Sequence, residues 1–230
     1  MKFLNNLFLL SFICFSCSNL SEIKNKLAGK KTFAECYMRY EQEGGVLLCE
    51  AKFKEGETEK TATPKLMPDL FFNAGAMEKR SNALKGTYYK ADQNGAYQTT
   101  YAFRLKKDDG ETTDIQVGMS PIENFSIKNN AKINKKTGFS LQWKGEALGK
   151  SERITGLLTD KQGGTTSFII VGALEVNEKE IPGNLFTSLA AGAGTLKLIK
   201  QRTEEKEENG VVMKNTYEYY TKEEVVEIED

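Results

Sequence analysis

Ten residues from Tyr97 onward constrain the fold more than any other stretch. Tyr97, Thr99, Tyr101, Phe103 and Leu105 alternate with Gln98, Thr100, Ala102, Arg104 and Lys106. A period of two puts one set on a buried face and the other on a wet face, which a helix cannot do. Asn94-Gly95 precedes the run and Asp109-Gly110 follows it. Asn, Asp and Gly tolerate positive φ, so both pairs predict tight hairpin turns. Thr113, Ile115, Val117 and Met119 then alternate again. Tyr88 to Met119 is therefore expected as a three-strand meander.

The same signature recurs along the chain. Phe33–Tyr40 and Val46–Phe53 flank Gln42-Glu43-Gly44-Gly45, and Phe139–Lys144 alternates with the single tryptophan, Trp143, facing inward. Ile154–Thr159 and Thr165–Ala173 bracket the turn Asp160–Gly164. Phe168-Ile169-Ile170-Val171 is apolar on both faces, which predicts a central strand sharing a core with Trp143. Thr195–Gln201 and Val211–Ile228 should close the chain as a long hairpin around Glu208-Asn209-Gly210. Two stretches break the pattern. Pro68–Phe72 and Leu185–Leu189 are expected as short helical insertions, and Ala190–Gly194 as a hinge or helix C-cap. The expected fold is all-β: a mostly antiparallel β-sandwich or flattened barrel of about nine to eleven strands.

Histidine is absent from the 230 residues. Ser-His-Asp and Cys-His catalysis both shuttle a proton through imidazole, so neither is open to this chain. Ordinary zinc sites are removed as well, because the body offers only Cys36 and Cys49 as soft ligands. Asp92-Gln93-Asn94-Gly95 has the look of a calcium loop, but its first and last ligand positions would fall on Lys90 and Tyr101. It reads as a turn, and no metal or cofactor is expected. Lys+Arg and Asp+Glu balance at 32 each, so no net field draws nucleic acid. Carboxylate acid–base chemistry remains possible in principle. The acids, however, single out no pair, and those at the C-terminus (Glu218, Glu223, Glu224, Glu227, Glu229, Asp230) fit a solvated edge equally well.

The leader carries the most specific signal. Lys2 is followed by the apolar run Leu7–Phe15, which falls short of the roughly twenty residues that cross a bilayer as a helix. Ser16 supplies the small residue a signal peptidase needs, and Cys17 follows it before the polar Ser18-Asn19. This leader resembles a bacterial lipoprotein signal, in which the cysteine after the cut is acylated. The resemblance implies a signal peptide over 1–16, a lipidated tether over 17–31 and a single β-rich domain over 32–230. It also implies a membrane partner reached through lipid on Cys17. Ser rather than Asp after the cysteine points to the outer membrane of the bacterial envelope.

Export bears on Cys36 and Cys49, because an oxidising compartment favours a disulfide. Simple pairing of the two strands puts these cysteines diagonal rather than opposite, so a relaxed bridge would need a bulge or a shifted register. The disulfide is the expectation and two buried thiols the alternative.

Tyr88, Tyr89, Tyr97, Tyr101, Tyr217, Tyr219 and Tyr220 gather on predicted strands, either as core packing or as a stacking platform for sugars. Lys128, Lys132, Lys135, Lys136, Lys144, Lys150 and Arg153 make the middle basic, and the chain after Thr203 is acidic. That asymmetry serves solubility or brings the two regions into contact. The functional expectation is an exported, lipid-anchored envelope protein with a non-catalytic binding or structural role and an unidentified protein or glycan partner. The alternatives are a carbohydrate-binding module and a carboxylate-dependent hydrolase.

Overall fold

The computed structural model describes residues 29–106, 110–128 and 131–230. Cys17 and most of the expected tether lie outside them. Alternating residues build the first hairpin, β1 (Lys31–Glu41) and β2 (Val46–Gly56). Ala34, Cys36, Met38 and Tyr40 face the core with Leu47, Cys49, Ala51 and Phe53. Short strands follow: β3 (Thr63–Pro64), β4 (Leu70–Phe72), β5 (Gly75–Ala76) and β6 (Glu78–Asn82). Then come β7 (Gly86–Asn94), β8 (Tyr101–Lys106), β9 (Thr112–Val117), β10 (Asn124–Ile127), β11 (Lys132–Asn134) and β12 (Phe139–Lys144). The last third holds β13 (Glu152–Asp160), β14 (Thr165–Val171), β15 (Glu178–Ile181), a 3-10 turn (Gly183–Phe186), β16 (Gly192–Glu208), β17 (Val211–Tyr220) and β18 (Glu224–Glu229).

An eleven-stranded sheet runs through the molecule in the order β11-β18-β16-β17-β1-β2-β7-β6, with β13 and β14 extending from β16 and β3 from β2. Two smaller sheets stand apart from it, β5-β4-β8-β9 and β10-β12-β15. The result is all-β and open rather than a closed barrel. Most pairings are antiparallel, but β1 lies parallel to β17 and β11 parallel to β18.

There are two hydrophobic cores. The first gathers Met38, Phe53, Phe72, Phe103, Ile115, Met213 and Tyr217 from β1, β2, β4, β8, β9 and β17. The second gathers Leu141, Trp143, Ile154, Phe168, Phe186, Leu196 and Ile228, so Trp143 and Phe168 share a core as expected. β16 joins them: Leu196 and Leu198 belong to the second core, while its later residues pair with the strand that lines the first. The chain passes from one core to the other at Ser120-Pro121, between Met119 of the first and Ile122 of the second. At this crossing Lys200 is buried, with its Nζ 3.2 Å from Glu152 and donating to the Ser120 carbonyl at 3.0 Å.

The structure corrects several expectations. The meander is split: β8 and β9 pair with each other, but β7 joins β2 and β6 in the large sheet. Asn94-Gly95 does not turn a hairpin, because Gly95 N–H donates to the Gly45 carbonyl at 2.8 Å and the chain then crosses layers. Leu70–Phe72 is a strand rather than a helix, since pairing with β8 buries Leu70 and Phe72 on one face. Leu185–Leu189 contributes only the end of a 3-10 turn. Gly192 to Gly194 begins β16 instead of a hinge or cap; a Cβ on Gly194 would stand 2.7 Å from the Thr159 carbonyl oxygen.

The expected disulfide is also overturned. Cys36 and Cys49 are free, buried thiols. Cys36 is in register with Ala51 and Cys49 with Met38, so the pair is diagonal with no bulge to realign it. Burial pushes both thiols well above their usual pKa, which leaves them protonated and unreactive. Finally, among the described residues β14 is an edge strand whose one strand partner is β13, with Ile169 and Val171 open to solvent.

Candidate functional site

The long hairpin of β16 and β17, closed at Asn209-Gly210 with φ of 52° and 77°, places Glu218 on the outer face of the large sheet. Parallel pairing then sets β1 beside it, with Arg39 in register with Glu218. Glu218 accepts hydrogen bonds from Tyr37 OH at 2.7 Å, Tyr220 OH at 3.0 Å and Gln201 Nε2 at 2.8 Å. The Arg39 guanidinium lies 4.2 Å from the centre of the Tyr220 ring and pairs with Glu41. Burial first, and then the neighbouring Glu218 carboxylate, raises both phenols above their usual pKa. They remain protonated donors. The result is a half-buried, fixed surface of two phenols, a guanidinium and a carboxylate, suited to recognition rather than proton transfer.

A second polar arrangement lies over the three-stranded sheet. An open groove of about 500 Å³ runs past Asn124, Ser126, Gln142 and Glu178. Glu178 accepts from Lys128 Nζ at 2.5 Å, Gln142 Nε2 at 2.7 Å and Ser140 Oγ at 2.9 Å. These donors, Lys128 foremost, hold its pKa at about 2 against a usual 4.5. A carboxylate depressed in the folded state stabilises above its unfolded pKa and loses that contribution as pH falls towards its folded one. The gap in stability between wild type and Glu178→Gln should therefore shrink between pH 4.5 and pH 2. Urea titrations across that range check it, and a gap that does not change with pH would refute the assignment.

General acids in glycoside hydrolysis need a raised carboxyl pKa. Asp114, Asp160, Glu178 and Asp230 are all shifted the other way, by hydrogen bonds from Arg104, the Ala190 backbone, Lys128 and Lys135 respectively. Among the described residues no group of three His, Cys, Asp or Glu could hold a metal ion.

The tyrosines divide. Tyr40, Tyr97 and Tyr219 pack ring against ring inside the first core, with centroids 5.0 to 5.5 Å apart, and Tyr101 joins them through Tyr97. Tyr89 is buried with its hydroxyl on Met67, and Tyr217 donates to Glu204. Of the predicted set Tyr88, Tyr97 and Tyr220 reach the surface in part, Tyr97 while packing against the first core. Tyr37, Arg39 and Gln201 were not picked out from the sequence; alternation on β1 and β16 could have placed them outward, but not together. The basic middle and acidic end do meet, through Lys132–Glu229 at 2.5 Å and Lys135–Asp230 at 2.6 Å.

No family model and no curated protein matches the chain. Solved structures resemble it at low similarity, three of them as follows. One is a tetra-tandem repeat in the extending region of a large adhesion protein, at TM-score 0.30 and 10% identity, covering 85% of this chain and 49% of that one. Another is the Yersinia pseudotuberculosis adhesin InvE, at 0.23 and 11%, covering 84% and 59%. The third is Bacteroides ovatus mixed-linkage glucan utilization locus SGBP-B in complex with a mixed-linkage heptasaccharide, at 0.19 and 9%, covering 77% and 53%. The chain thus spans 49% to 59% of the length of these structures. Likeness of this size carries no function across.

Proposed function

We propose that this is an exported protein of the bacterial envelope, held at a membrane by acyl chains on Cys17, whose β-rich body has a non-catalytic binding or structural role. The observation that carries the reading is the leader, with the apolar run Leu7–Phe15 ending in Ser16-Cys17. Several acyl chains, at about 0.8 kcal/mol for each buried methylene, hold a domain durably at a membrane. The body then needs no apolar membrane face of its own. Its chemistry agrees with a binding role, because imidazole is absent and the displaced carboxylates are held ionised. A protein or glycan partner would meet the Tyr37–Arg39–Glu218–Tyr220 surface, which offers aromatic, cationic and hydroxyl contacts together.

Cys17→Ala should move the protein from the membrane pellet to the soluble fraction of lysed cells. Mass spectrometry of the wild-type N-terminus should show an acylated cysteine. A Cys17→Ala protein that stays in the pellet and is not extracted at high salt would overturn the reading.

A further inference from the structure

We propose that β14 is a self-complementary edge through which two copies of this chain join into one continuous sheet. This goes beyond the reading above and does not depend on the lipid.

Edge strands offer unpaired backbone groups, and proteins blunt them with charge, proline or short length. The other edges here follow that rule. β6 carries Glu78, Lys79 and Arg80; β9 carries Asp114; β15 carries Glu178, Lys179 and Glu180; β11 carries Lys132. β3 contains Pro64, β5 has two residues and β10 four. β14 reads TTSFIIV over seven residues, with neither charge nor proline, and is the longest of these edges. Ile169 and Val171 stand 61% and 68% exposed on it. Pairing with any of the charged edges would set a charge beside these apolar residues; pairing with itself would not.

The hydrogen-bond phase of β14 supports a two-fold pairing. Asp160 N–H donates to the Gly164 carbonyl at 2.9 Å, and Thr159 is in register with Thr165. Antiparallel ladders alternate between bonded and non-bonded pairs. Thr166, Phe168 and Ile170 therefore bond to β13, and Thr165, Ser167, Ile169 and Val171 point their N–H and C=O groups outward. An antiparallel copy centred on Phe168 sets Ser167 against Ile169 and Thr165 against Val171, in both directions. Every outward group is then satisfied, giving about eight hydrogen bonds, within the roughly ten a specific interface carries. The flanks are complementary too. The same two-fold brings the end of one copy carrying exposed Lys161 beside the end of the other carrying exposed Glu175.

Analytical ultracentrifugation of the full chain in density-matched detergent tests this. Wild type should sediment as two copies. Ile169→Lys should halve the mass by placing two ammonium groups across the two-fold. Ser167→Pro should do the same, because it removes only an outward N–H; circular dichroism checks that each variant is folded. Leu84→Lys, at an exposed site away from β14, should remain two copies. Hydrogen exchange at Thr165, Ser167, Ile169 and Val171 should be slow in wild type and needs no variant. A wild type of one copy, fast exchange at those four amides, or folded β14 variants that keep the full mass would each overturn the proposal.

Discussion

Glu152→Ala should lower the unfolding free energy by about 3–5 kcal/mol, the cost of leaving one member of a buried ion pair without its partner. Lys200 is 1% exposed at its side chain and Glu152 10%, so water cannot replace the lost carboxylate. The ammonium would keep only the Ser120 carbonyl. Glu152 also accepts from Gly149 N–H at 3.0 Å, so Glu152→Gln, which preserves that acceptor, separates the charge from the turn. Lys200→Met combined with Glu152→Gln should recover much of the loss, since apolar replacement of a buried pair is often neutral. Chemical denaturation of the three variants measures these differences. A loss below about 1 kcal/mol for Glu152→Ala would show that the pair is hydrated and not structural.

Phe186→Ala should cost a similar amount, about 3–5 kcal/mol, as expected for emptying a fully buried aromatic site. Its ring centroid lies 5.6 Å from that of Phe139 and 6.2 Å from that of Phe168. Those neighbours sit on β12 and β14, in different sheets, so neither can close the gap without moving its own strand. For a domain of this size each kcal/mol shifts the melting temperature by about 2–4 °C, so a fall of roughly 10 °C is expected. Trp143 shares this core, and its fluorescence should report the transition directly. A melting point within about 2 °C of wild type would mean that the site collapses around the missing ring.

Strand positions were mostly legible where one face is wet, although Tyr97 to Thr100 alternate without forming a strand. The inward residues of β1, β2, β13 and β17 follow from alternation alone. Sheet membership was not legible, because period two says which face a residue takes and not which neighbour its strand finds. Tyr88 to Met119 shows this: its strands are divided between two sheets, and of the ten-residue run from Tyr97 only Tyr101–Lys106 forms a strand. Phe168–Val171 shows the converse error. A strand apolar on both faces reads as central, yet β14 is an edge, and its outward Ile169 and Val171 have no covering layer. Leu70-Phe71-Phe72 is too short for periodicity to separate helix from strand, and tertiary pairing decided it. The Glu218 surface was hidden for a different reason. Tyr37 and Glu218 are 181 residues apart in sequence and meet only because β1 runs parallel to β17, a pairing no local pattern announces.

That pairing also governs the order in which the protein can form. β1 begins thirty-one residues into the chain, but its partner spans Val211–Tyr220. Until those residues are free, the β1–β2 hairpin keeps one edge open, and Met213, Tyr217 and Tyr219 are missing from the first core. Non-local closure of this kind is intrinsically slow. A chain emerging from its N-terminus can therefore complete this half only once almost all of it has emerged. Under the export proposed above, this lateness would keep the chain threadable while it crosses a membrane.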